Sequence, residues 1–182
     1  MDQQVINNLE KSYSLIVQAN KDMIYIWSHH VLFTWRWWIS LAFTIIPWVI
    51  WIVKRKKEST HRLLYAAFFT MLISSWFDVL GILFGLWSYH FELVPFSPAF
   101  IPWDITFMPV TTIAFLQYKP HINPFIKAVV FSGIGSFLAQ PTFVVLGYYA
   151  PKHWEHYYSF PILLVIYLLA NYFATRNHFE NL

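Results

Sequence analysis

Between positions 63 and 87 the chain carries a single charged residue, Asp78, and between 129 and 147 it carries none. A helix that crosses the hydrocarbon layer needs about 20 predominantly apolar residues, and both runs have that length. Three further runs share the pattern. One covers 35–53 and ends at Lys54, Arg55, Lys56 and Lys57; the others cover 100–118, with Asp104 near its start, and 158–173. The pattern predicts an all-α fold, a polytopic bundle of five transmembrane helices over 35–182. The chain is 58% hydrophobic and 12% charged, against roughly 25% charged for soluble domains. Five crossings use most of its 182 residues and leave no room for a soluble catalytic or cofactor domain.

Residues 1–34 read differently. Ile6, Leu9, Tyr13, Ile16 and Trp27 recur at helical spacing while Glu10, Lys11, Lys21 and Asp22 fall mostly on other faces. This predicts an amphipathic helix, lying in the membrane interface or packed over the bundle. It lacks the basic, then apolar, order of a cleavable signal peptide. The absence of Cys excludes disulfides, thiolate nucleophiles and Cys-ligated metal. The net charge of +3 is accounted for by loop residues and implies no nucleic-acid partner.

Orientation follows from the positive-inside rule. With five crossings, Lys54, Arg55, Lys56, Lys57, Arg62, Lys119, Lys127 and Arg176 share one side, and only Lys11, Lys21, Arg36 and Lys152 the other. The expected location is the cell membrane, N-terminus outside and C-terminus cytoplasmic. Trp35, Trp37, Trp87, Trp103 and Trp154 then form an outer aromatic belt. No tandem repeat is visible. Pro47, Pro109 and Pro141 each free a carbonyl within a span, which a neighbouring group must satisfy.

An ionisable group inside a span is a functional candidate by default. Asp78 lies nine residues before Trp87, about 13 Å along a helix and close to the midplane. Ser74, Asp78, Gly81 and Gly85 share one helical face, and G-x-x-x-G lets another helix approach, so Asp78 is expected to face the bundle. It serves either as interhelical glue or as a proton donor, since donation to a hydrocarbon requires an acid kept protonated in an apolar site. Asp104 is either a helix N-cap or a base near the rim of the same cavity. Ser132, Ser136 and Gln140 form a polar stripe on the fourth span, and Gln140 is expected to hydrogen-bond Asp78. Outside, His153, Glu155 and His156 have zinc-ligand chemistry, but they do not form H-E-x-x-H, and an interfacial loop is the preferred reading. No metal or other cofactor is expected.

The block SWFDVLGILFGLWSYHFELVPFSPAFIPWDITFMPVTTIAFLQY resembles a family of small multi-spanning membrane proteins of endospore-forming Bacillus-type bacteria. That family shares a span with an Asp, a W-x-Y near its end, a Pro-rich loop and a W-D opening the next span. The resemblance runs from about Trp35 to Phe173 and implies location, not chemistry. A shorter pattern, Asp78, Trp87, Tyr89, Pro102 and Asp104, is similar to integral-membrane isoprenoid cyclases of the lycopene type. Those have paired Glu after their Pro, where this chain has one Asp.

Three functions follow as expectations. The first is an outward-opening intramembrane site that binds a lipid or isoprenoid, lined by Trp76, Trp87, Tyr89, Glu92, Trp103 and Gln140 around Asp78 and Asp104. The second is a cofactor-independent membrane cyclase or isomerase with Asp78 as general acid. The third, transport of protons or a small solute, has few parts to work with when no inverted repeat is present.

Overall fold

A computed structural model describes residues 2–95 and 99–176. Helix α1 (Gln3–His30) is capped by the Asp2 carboxylate and buries none of its residues. It meets the rest through Trp27, whose indole N–H donates to the Glu92 carbonyl at 2.8 Å. The remaining helices are α2 (Trp35–Lys54), α3 (Thr60–Leu83), α4 (Met108–Gln117), α5 (Pro124–Ile134), α6 (Gln140–Val145) and α7 (His156–Thr175). Two three-residue strands, β1 (Trp87–Tyr89) and β2 (Tyr149–Pro151), pair antiparallel.

Among the described residues, four segments are long and apolar enough to cross a membrane: Trp35–Lys54, Lys57–Leu83, Pro124–Val145 and His156–Thr175. The third expected span falls short. Its helical part comprises a π-helical stretch, Pro102–Phe107, continued by α4. The reason lies in the segment before it. Residues 90–95 and 99–100 are not helical although they pack among helices, and their polar backbone is served by side chains. Trp37 Nε1 donates to Leu93 O at 3.2 Å, Ser40 Oγ to Phe91 O at 3.0 Å, and Phe100 N donates to Asp78 Oδ2 at 3.3 Å. The rod 102–117 then follows α2 in parallel. Thr106 Oγ1 donates to Thr44 O, and Gln117 Nε2 to Lys54 O. Thus 102–117 starts about five residues into α2, one turn before the level of Thr44.

Pro109 lacks the N–H that would serve the carbonyls a turn back. Trp48 Nε1 donates to Ile105 O at 2.9 Å and Ser74 Oγ to Asp104 O at 3.3 Å. The Pro109 break is therefore closed by two neighbouring helices.

Helix α3 ends earlier than the apolar run suggests. Leu86 N donates to Gly81 O and Gly85 N to Ile82 O, the paired bonds of a Schellman cap, with Gly85 at φ +67°. Helix α6 ends identically, with Tyr148 N on Phe143 O, Gly147 N on Val144 O and Gly147 at φ +78°. Each cap leads into a strand. The G-x-x-x-G face also differs from expectation. A Cβ on Gly81 would lie 1.9 Å from Trp87 Cζ2, whereas one on Gly85 would meet nothing within 4 Å. Gly81 makes room for an indole, and Gly85 supplies a left-handed turn.

These coincidences reveal an internal repeat, correcting the expectation of none. Ala66, Thr70, Ser74, Asp78 and Gly85 recur as Ala128, Ser132, Ser136, Gln140 and Gly147, a constant displacement of 62 residues. Ala66, Thr70, Ala128, Ser132 and Ser136 are all fully buried. Thr70 and Ser132 return their hydroxyls to Ala66 O and Ala128 O. The ribbon obeys the same relation. Ser88 faces Ala150, 62 positions on, while Trp87 faces Pro151 and Tyr89 faces Tyr149, as a two-fold axis between Ser88 and Ala150 requires. Helix, ribbon strand and returning helix make up each unit, with α3 packed on α4 and α5 on α7.

Candidate functional site

Both repeat units contribute to one cavity of about 50 Å3 beneath the ribbon. The first supplies Ser74, Asp78 and Asp104, the second Gln140 and Ser159. Trp87 and Tyr89 from β1, Tyr149 from β2, and Trp103 and Trp154 complete its aromatic wall. No Lys or Arg lines it. At roughly 10–15 Å3 per water, it accommodates a few waters or one small polar group.

Asp78 is buried and faces inward as expected. Its Oδ1 accepts from the Tyr89 hydroxyl at 2.9 Å and its Oδ2 from Phe100 N. Burial and the adjacent Asp78 carboxyl push the Tyr89 phenol well above its ordinary range, which keeps it a donor. Asp104 is fully buried beside Asp78. It is not an N-cap: Ile101 holds that position without a side-chain cap bond, and neither Asp104 carboxyl oxygen closes a hydrogen bond of ordinary geometry, although the Asp78 carboxyl, the Ser74 hydroxyl and the Phe100 N–H lie beside it. Nor does it sit at a rim: Ser74, one turn before Asp78, reaches its carbonyl, so both acids occupy similar depths. The π-helical stretch Pro102–Phe107, closed by Met108 N on Trp103 O, carries Asp104, in keeping with the frequent occurrence of π-helical turns at functional positions.

Gln140 lines the cavity but does not bond Asp78. Its Nε2 donates to Ser159 Oγ at 2.9 Å, which also accepts from Trp154 Nε1 at 2.8 Å. Gln140 Oε1 is buried without a partner. Asp78 and Gln140 hold equivalent repeat positions, so each belongs to its own unit and looks toward that unit's returning helix.

The structure moves two expected lining residues out of the cavity. Trp76 is 59% exposed and lies in an outer groove with Phe68, Leu72 and Ile105; two residues from Asp78 is about 200° around the helix. Glu92 lies in a groove between the loop and α1, with Trp27, His90 and Phe91. Burial, with a smaller contribution from Asp78, raises its carboxyl to about 7. His153 and Glu155 are exposed, and among the described residues no three His, Asp or Glu converge as metal ligands.

Ser159, Tyr149 and Trp154 were not among the expected lining residues. The 62-residue displacement is the signal that pairs Trp87 with Tyr149 in advance; Ser159 and Trp154 carry no comparable mark.

No family model, curated protein or solved structure matches the chain.

Proposed function

We propose that this is a cell-membrane protein with five crossings, N-terminus outside, whose Asp78–Asp104 site binds the polar end of a lipid or isoprenoid. The fifth crossing is the rod 102–117, supported by its parallel run beside α2. Helix α1 lies in the outer interface, in keeping with its lack of buried residues. The observation that carries the reading is a set of buried oxygens that close no hydrogen bond of ordinary geometry, both of Asp104 and Gln140 Oε1, among aromatic rings and beside the Asp78 carboxyl. Such oxygens are costly to leave unpaired, and a hydroxyl or ammonium group satisfies them. The cavity volume admits only the polar end, so the chain passes outward between helices.

A second reading, acid–base cyclisation or isomerisation of an isoprenoid without cofactor, draws on the same residues. Two adjacent carboxyls in an apolar wall can hold and pass a proton, and surrounding π faces favour cationic character. Transport of a proton or small solute is a third reading, favoured by the parallel repeat with a site between its units.

The test is lipid analysis of the purified protein. Wild type and Trp76→Phe are expected to carry the same tightly held lipid or isoprenoid, with Asp78→Asn and Asp104→Asn depleted of it. An unchanged lipid complement in both Asp variants, at wild-type folding, overturns the proposal.

A further inference from the structure

At the opposite end of the bundle from the ribbon, a groove of about 790 Å3 runs between α2 and α4. Its walls are Pro47, Ile50, Trp51, Val110, Ala114 and Phe115, and its end is framed by Lys54, Lys56 and Lys119. Asp and Glu are absent from its lining. The acid cavity shares none of these residues.

The three lysines come from two separate helix ends, and one side chain draws those ends together. Gln117 Nε2 donates to Lys54 O at 3.1 Å while its Oε1 accepts from Lys56 N at 3.1 Å. Other basic side chains nearby are engaged elsewhere. Lys127 Nζ donates to Phe115 O and Tyr118 O, and Arg55 donates to Ile52 O and Thr60 Oγ1. Lys54, Lys56 and Lys119 are exposed, as are Ile50 and Ala114 on the walls.

The groove is ordered along its length. Trp51 lies one turn in from Lys54, and its indole N–H is buried without an acceptor. Pro47 lies seven residues in, about 10 Å along the helix. Cations, then an indole, then a purely apolar floor is the order in which a membrane phospholipid presents phosphate, ester and acyl chains. Basic pockets between membrane helices bind anionic head groups on these grounds.

We infer that this groove is a binding site for an anionic phospholipid, with the phosphate between Lys54, Lys56 and Lys119 and the acyl chains against Pro47, Ile50, Val110 and Ala114. The occupant is fixed by charge complementarity together with an apolar volume that a free phosphate leaves empty.

The full chain, purified and exchanged into detergent, is titrated with phosphatidylglycerol, phosphatidylcholine or inorganic phosphate, and bound adducts are counted by native mass spectrometry. Phosphatidylglycerol is expected to be retained preferentially. A lysine near an anionic surface is worth roughly fivefold in affinity, so the triple Lys54→Gln, Lys56→Gln, Lys119→Gln variant should lose on the order of 100-fold. Lys57→Gln, in the same loop but outside the groove, should retain wild-type preference. Ala114→Trp, which keeps all three charges and fills the groove, should lose retention as well. Equal retention of the two lipids overturns the inference. So does a loss in Lys57→Gln as large as in the triple variant, full retention in Ala114→Trp, or competition by millimolar inorganic phosphate.

Discussion

Replacing Gly81 by Ala separates two meanings of the same glycine. In a helix, Gly→Ala gains about 1 kcal/mol from backbone entropy. Here the new Cβ would lie 1.9 Å from Trp87 Cζ2 and 2.3 Å from two further indole carbons, far inside contact distance. Trp87 is only 8% exposed and packs against Trp154 with ring centroids 5.1 Å apart, so the ring can give way only into the small acid cavity it lines, at the expense of that packing. Overpacking of this kind costs about 1–3 kcal/mol, and it outweighs the propensity gain. With Trp87→Ala the obstacle is gone, so Gly81→Ala in that background should stabilise by about 1 kcal/mol. The propensity gain cancels between the two backgrounds, leaving a coupling equal to the overpacking cost, about 1–3 kcal/mol, in a double-mutant cycle. Reversible unfolding of the purified protein in mixed micelles, titrated with denaturing detergent, provides the four stabilities. If Gly81→Ala has the same effect with and without Trp87, Gly81 serves a helix–helix contact and the packing argument fails.

Glu92, held at about 7 against 4.5 when unfolded, binds more protons in the folded state between those values. Its contribution is complete below pH 4.5 and is lost as pH rises through 7, on the order of 2–3 kcal/mol. Thermal stability from pH 5 to 8 should fall in wild type and flatten in Glu92→Gln; parallel profiles would refute this. Trp48→Phe removes the donor to Ile105 O and should cost about 1–3 kcal/mol, but less in a Pro109→Ala background, where a backbone N–H is restored; an equal cost in both dismisses the proline argument. Lys127→Met takes the cation from Phe115 O and Tyr118 O and should cost about 1–3 kcal/mol, measured by the same detergent titration. An unchanged midpoint would show those carbonyls to be satisfied otherwise.

Four of the membrane-length segments were legible because long uncharged runs have few other uses, and Asp78 faced inward because Ser74 and Gly81 share its face. The run 100–118 is legible as a helix, observed over 101–117, although it is shorter than the four membrane-length segments. Apolar composition does not reveal how the backbone before it is supported: the side chains of Trp37, Ser40 and Asp78, distant in sequence, serve the non-helical residues Phe91, Leu93 and Phe100. Gln140 went to Ser159 because hydropathy gives depth without azimuth. Trp76 shows the same gap, two residues from Asp78 in sequence and on the far side of its helix. The repeat is faint in the sequence because its identities are few and widely spaced, Ala66 with Ala128, Ser74 with Ser136 and Gly85 with Gly147, among substitutions such as Thr for Ser, Asp for Gln and Trp for Tyr.

The arrangement of those two units bears on how such a chain arises and inserts. Each goes out along one helix, turns at the ribbon and comes back along another, so it begins and ends on the same face. A tandem copy of such a unit inherits its parent's orientation without any change in flanking charge, unlike an odd-numbered unit, whose duplicate must enter upside down. One unit carries a carboxyl, Asp78, and the other an amide, Gln140, at the equivalent position, so two seats related by the repeat form one asymmetric seat with a chemical left and right.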